Sequence, residues 1–203
     1  AQGRGTAPSL QPSICGPAGC PPPTFAGRLQ PYNIYVPVAK PGPAGYGLLL
    51  NLHMATGNLN SVGLRWEEEA GEQAVPYITI SPNARGPSYW YYGQSGAEVF
   101  EAWADVAHRF KLDPSLTSIG GTSMGGFGTW KLSAQFPDLF ASAQNIVPCV
   151  SAGVGWREGN PPPTFPIDDP IAGQLSLMTL TAASNRWVPQ YSWFGINDTT
   201  CSY

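Results

Sequence analysis

Ser123 is the residue around which chemistry can be built. It lies in Ile119-Gly120-Gly121-Thr122-Ser123-Met124-Gly125-Gly126-Phe127-Gly128, with a glycine two positions before it and another two positions after. Gly-x-Ser-x-Gly between a strand and a helix is the pattern of a nucleophile elbow. The spacing has a steric reason. At a tight strand-to-helix turn, side chains two positions either side of the serine would collide. The same turn exposes the serine oxygen and points the following backbone N–H groups at the reaction centre. The chemistry this predicts is nucleophilic attack on an acyl carbon. Glycine is abundant, 24 of 203 residues, so the motif gains its weight from its context rather than from its letters.

That context is an alternation of strands and helices. Tyr32 to Val38 alternates like a strand. Tyr46 to Leu52 is a short apolar run consistent with a buried strand ending at His53. Ala74 to Ile80 is another, closed by a Ser-Pro turn. Gly96 to Phe110 carries Val99, Phe100, Trp103, Val106 and Ala107 at helical spacing. Leu116 to Gly120 reads as the strand before the elbow, and Gly125 to Phe136 as the helix after it, stopped by Pro137. Ala143–Val147 and Pro189–Phe194 read as two more strands. Strands alternating with helices predict an α/β fold with a mostly parallel sheet and helices on both faces. Two stretches stand outside the alternation. Residues 1–25, rich in Pro, Gly and Ser, read as an extended arm. An insertion at about 151–180, with Gly-Asn-Pro-Pro-Pro and the pair Asp168-Asp169, is placed to act as a lid or substrate wall.

Gly121-Thr122-Ser123-Met124-Gly125-Gly126-Phe127-Gly128-Thr129-Trp130, followed by Phe136-Pro137-Asp138-Leu139-Phe140-Ala141, resembles secreted α/β-hydrolase-fold esterases of the poly(hydroxyalkanoate) depolymerase and prolyl-oligopeptidase-like group. Leu52-His53-Met54-Ala55-Thr56-Gly57-Asn58 resembles the oxyanion-loop phrase of that group. Ala84-Arg85-Gly86-Pro87 with Tyr89-Trp90-Tyr91-Tyr92 resembles a loop of its actinobacterial members. The resemblance covers about Tyr32 to Tyr203. It implies the α/β-hydrolase fold and a division of labour. Ser123 is the nucleophile. The N–H groups of Met124 and Ala55 form the oxyanion hole, and His53 braces their loop. Trp193-Phe194-Gly195-Ile196-Asn197-Asp198 is similar to the acid turn of the group, which makes Asp198 the acid.

The base is the missing part. The sequence has two histidines, His53 and His108, and both precede the nucleophile, whereas the order of roles is nucleophile, acid, histidine. The expectation is an incomplete hydrolase domain over residues 26–203. It lacks a final strand and helix, and its base histidine is supplied from outside this segment, by a second fragment for example. Without its base the segment alone should lose on the order of 10⁴- to 10⁶-fold in rate.

The four cysteines suggest bridges: Cys15 with Cys20 across a four-residue turn, and Cys149 with Cys201, each just past the end of a strand expected to neighbour the other. Cys201 bonded outside this segment is the alternative to the second pair. No cysteine or histidine spacing suits a metal, and no cofactor is implied. An even cysteine count and a start at Ala-Gln-Gly-Arg-Gly, as after leader cleavage, predict a secreted protein. A net charge of −3 argues against nucleic acid, and no apolar run approaches the roughly 20 residues of a membrane span. Trp90, Tyr91, Trp156 and Trp193 are candidate substrate contacts. The leading expectation is hydrolysis of a carboxylic ester, with polyesters, aryl esters on polysaccharide and short acyl esters all open. The rivals are a serine peptidase of the same fold and a non-catalytic structural or binding protein that retains the elbow.

Overall fold

The computed structural model describes residues 29–61, 75–86, 90–91, 93–148, 182–198 and 201. In chain order the elements are β1 (Tyr32–Tyr35), β2 (Tyr46–Leu52), β3 (Tyr77–Pro82), α1 (Gly93–Arg109), β4 (Leu112–Thr122), α2 (Met124–Gln135), β5 (Ser142–Ile146) and β6 (Gln190–Trp193). The sheet runs β1-β3-β2-β4-β5-β6. β1 is antiparallel to β3 and every other pairing is parallel. This is the mostly parallel arrangement expected from the alternation.

The strands form where the apolar runs dictate. Leu48, Leu50 and Leu52 of β2 pair in register with β4, at Thr117, Ile119 and Gly121. With Ile78 and Ile80 of β3 they are fully buried under α1 and α2. The two described helices meet where Phe100 of α1 packs edge to face on Phe136 just past α2, at 5.0 Å between ring centres, so both cover the same face of the sheet; the helix expected on the other face is not among the described residues. The expected helix start at Gly96 moves to Gly93. The expected Ser-Pro turn after Ile80 instead continues the strand, because β1 still pairs there, Asn33 with Ser81 and Tyr32 with Pro82.

β5 and β6 are neighbours, as expected of the strands that precede Cys149 and Cys201. Their register is locked by side chains: Asn145 donates to Gln190 and Ser192, and Gln190 donates to Ser133 of α2. Parallel pairing brings the carboxyl ends of β2, β3, β4 and β6 to one edge of the sheet, where open α/β sheets hold their sites. The chain leaves that edge at His53, Asn83, Ser123 and beside Asp198. The arm at 1–25 and the insertion at about 151–180 lie outside the described residues, as do Cys15, Cys20, Cys149 and Trp156.

Candidate active site

Ser123 joins β4 to α2 with φ at 57°, a left-handed backbone that costs a non-glycine residue about 1–3 kcal/mol. Two backbone bonds hold it there. Its N–H donates to the Ile146 carbonyl of β5 at 2.9 Å, and its carbonyl accepts the first helical bond from Phe127 at 2.9 Å. The N–H groups of Met124, Gly125 and Gly126 therefore have no acceptor within the helix, and they sit where the helix dipole is positive.

The glycine spacing is explained by contact. A β-carbon on Gly121 would lie 2.6 Å from the Gly125 carbonyl carbon and 2.7 Å from the Leu52 oxygen. One on Gly125 would overlap that same Leu52 oxygen. The elbow is pressed against the end of β2, so the loop that follows β2 is fixed relative to Ser123.

Asp198 lies in a turn just past β6, its N–H donating to the Gly195 carbonyl at 3.1 Å. Its Oδ1 accepts the Cys201 N–H at 2.9 Å, and the Cys201 sulfur lies 3.7 Å from the Ser123 hydroxyl. The Asp198 turn and Ser123 thus meet through one residue. Cys201 is disulfide-bonded, and its partner lies outside the described residues.

His53 is buried, with its Nδ1 2.8 Å from the Met54 carbonyl and its Nε2 3.0 Å from the Asn83 carbonyl. Burial pushes its pKa down, although both contacts favour the charged ring. Both nitrogens face backbone carbonyl oxygens, to one of which the neutral ring donates its single N–H, so His53 braces its loop and is not oriented as a general base. His108 is exposed in the last turn of α1.

The aromatic loop behaves differently from the expectation of an open platform. Trp90 is 4% exposed and packs edge to face on Phe127, and Tyr91 is fully buried. Rings this large stabilise more as core than as display, so these two are not available to a ligand here. Trp193 is 53% exposed at the end of β6, beside the acid turn. Ala55 follows β2 and is half-buried against the core, and Met124 is buried.

The sequence reading missed one group. Glu98 of α1 is 1% exposed and accepts three consecutive N–H groups, from Asn83 at 2.9 Å, Ala84 at 3.0 Å and Arg85 at 2.7 Å. Burial raises its pKa to about 7 against the pull of these donors and of Arg85. The Arg85 guanidinium lies 3.6 Å from Glu98 and 3.5 Å from Glu101, so it braces this turn. A second buried support is Lys131 of α2, which donates to the Tyr91 carbonyl at 3.1 Å while burial lowers its pKa to about 8. Nothing local in the sequence marks Glu98; its partners are 13 to 15 residues away. Among the described residues no group of three His, Cys, Asp or Glu could hold a metal ion, and no helix is long and apolar enough to cross a membrane.

The fold defined by this sheet and elbow is the α/β-hydrolase fold. Solved structures similar to it include a fluorophosphonate-binding serine hydrolase of Staphylococcus aureus, with a TM-score of 0.57 and 21% identity over 80% of this chain and 72% of that one. An S-formylglutathione hydrolase of the same organism gives a TM-score of 0.54 and 19% identity, covering 91% of this chain and 74% of that one. A thermostable esterase gives a TM-score of 0.52 and 20% identity over 83% of this chain and 52% of that one. In sequence the chain is 29% identical over 195 residues to a poly(3-hydroxybutyrate) depolymerase of Ralstonia pickettii, covering 84% of this chain. The chain spans only 36% of that relative's length. No family model matches the chain.

Proposed function

We propose that this chain is the nucleophile-bearing part of a secreted serine hydrolase that cleaves carboxylic esters through an acyl-enzyme. The observation that carries the reading is Ser123 itself, held at φ 57° on a glycine-packed elbow and linked to Asp198 through Cys201. The Ser123 oxygen attacks the ester carbonyl and gives its proton to a base. The N–H groups of Met124 and Ala55 receive the developing oxyanion. The alcohol leaves with that proton, and water then releases the acid by the reverse route.

The base histidine is supplied from outside these 203 residues. Both nitrogens of His53 face backbone carbonyls and His108 is exposed on α1, which supports this assignment. The substrate is an ester with a bulky acyl or alcohol part, a polymer among the classes. The exposed indole of Trp193 beside the acid turn and the similarity to a depolymerase favour it. Secretion accords with the disulfide at Cys201. The remaining disulfide assignments are Cys149 for Cys201 and Cys15 for Cys20.

The test uses the full-length gene product. A fluorophosphonate probe is expected to label the wild type and not Ser123→Ala, and nitrophenyl esters are expected to be cleaved in preference to peptidyl anilides. Preferential cleavage of the anilides would make it a peptidase. Absence of labelling would make it a non-catalytic protein retaining the elbow.

A further inference from the structure

The end of β5 stands between the Ser123 turn and the strand that leads to Asp198, and one peptide unit there faces both. The Ile146 carbonyl accepts the Ser123 N–H at 2.9 Å, and the N–H of the same peptide, that of Val147, donates to the Trp193 carbonyl at 2.7 Å. Val147 is left-handed at φ 40°, a conformation that β-branched residues rarely adopt, so this end of β5 is held against strain.

Backbone bonds alone do not fix how far β6 slides along β5. A parallel ladder repeats every two residues, so a slide of two remakes its bonds and keeps each side chain on its own face. Such a slide would carry the turn at Asp198 about 6.6 Å along the strand direction. β6 brings little apolar grip of its own. Tyr191 and Trp193 are exposed, and the residues alternating with them, Gln190 and Ser192, are polar. Asn145 supplies what the ladder lacks. It is fully buried and stands opposite Ser192, and its Nδ2 donates to Gln190 Oε1 at 2.8 Å and to Ser192 Oγ at 3.2 Å. Gln190 Nε2 in turn donates to Ser133 Oγ of α2 and to Asn185 Oδ1, each at 3.2 Å. The chain of bonds therefore ends on the helix that starts beside Ser123.

Stability does not account for an asparagine at this place. Among the described residues Asn145 Oδ1 is buried without a hydrogen-bond partner, and so is Asn185 Nδ2. A buried polar atom left unpaired costs free energy that an aliphatic side chain at 145 would not incur. Buried amides of this kind can fix register at a cost in stability. We propose that Asn145 is a positioning residue for catalysis: its amide sets the register of β6 on β5, and with it the place of the Asp198 carboxylate relative to Ser123. This rests on the hydrolase reading of Ser123 with Asp198 as its acid.

The full-length protein is assayed with a nitrophenyl ester and the fluorophosphonate probe. Asn145→Leu keeps the shape of the side chain and removes its donor. It is expected to lose about 10- to 100-fold in kcat, with KM within about twofold. The acid limb of its kcat/KM profile is expected to move to lower pH, because a displaced carboxylate no longer raises the pKa of the base. In an Asp198→Asn background the same substitution is expected to change kcat by less than about twofold, since the group it positions has lost its charge. Gln190→Met cuts the tie to α2 and is expected to follow the same pattern; it carries the test if Asn145→Leu does not fold. Gln144→Leu, next in sequence but on the opposite face of β5, is the unchanged control. Equal losses in the two backgrounds, or an acid limb that does not move, would overturn the positioning role and leave Asn145 a core residue. A wild type that the probe does not label would sink the hydrolase reading, and an Asp198→Asn variant as active as wild type would sink its acid, so these failures are separable from that of Asn145.

Discussion

Gly125 and Leu52 are in contact across the elbow, with no room for a β-carbon between the glycine and the leucine carbonyl oxygen. The turn at Ser123 and the end of β2 therefore behave as one rigid unit. Gly125→Ala is expected to destabilise the protein by about 3 kcal/mol, because the obstacle is backbone and cannot rotate away. Gly42→Ala is the matched control, since nothing lies within 4 Å of a β-carbon there. Urea unfolding of the pair checks this, and equal stabilities would show that the elbow can relax.

As the proposed acid, Asp198 has a role that an asparagine can partly imitate. Asparagine keeps an oxygen for the Cys201 N–H, now at 2.9 Å, so the turn should survive. It cannot stabilise a charged histidine. Asp198→Asn in the full-length protein is expected to lose about 10⁴-fold in kcat with little change in KM or melting temperature. A loss below about tenfold would show that the acid lies elsewhere.

Glu98 makes stability depend on pH in a direction opposite to most carboxylates. Its pKa is raised from 4.5 to about 7 by burial, so between these values the folded chain holds a proton that the unfolded chain has released. The stabilising contribution is full below about pH 4.5 and is lost as pH rises through 7, amounting to about 3 kcal/mol. Urea titrations at pH 4.5 and 8 should show this component in the wild type and not in Glu98→Gln. The same slope in both would assign the linkage to other groups.

Trp193 is exposed beside the acid turn and is suited to stack on a large substrate. Trp193→Ala is expected to raise KM for aryl or oligomeric esters by about fivefold, the equivalent of about 1 kcal/mol. Cleavage of nitrophenyl acetate should be unaffected. A uniform effect on both substrates would point to β6 packing instead.

The elbow, the strand ending at His53 and the turn from Gly195 to Asp198 were legible in the sequence because each is a local pattern. Glycines fall at ±2 of Ser123, apolar residues run without interruption from Leu48 to Leu50, and Gly195 precedes Asp198 by three. The Glu98 network was not legible, because it is made by residues of a turn and a helix that meet only in the folded chain. Trp90 and Tyr91 misled for the related reason that a cluster of aromatic residues in a loop looks the same whether the rings face water or the core. Only the packing against Phe127 and the bond from Tyr91 to the His53 carbonyl distinguish the two.

The sheet order places Ser123 and Asp198 under different mechanical conditions. β4, which carries Ser123, has a paired strand on each side, whereas β6, which leads to Asp198, lies at the margin of the described sheet with Tyr191 and Trp193 exposed. Amides at a margin open with less free energy than those at the centre. Opening at β6 is therefore expected to displace Asp198 while Ser123 stays in place. Hydrogen exchange would register it as early loss of protection in β6, and whatever rests against that strand in the working protein sets the lifetime of the active state.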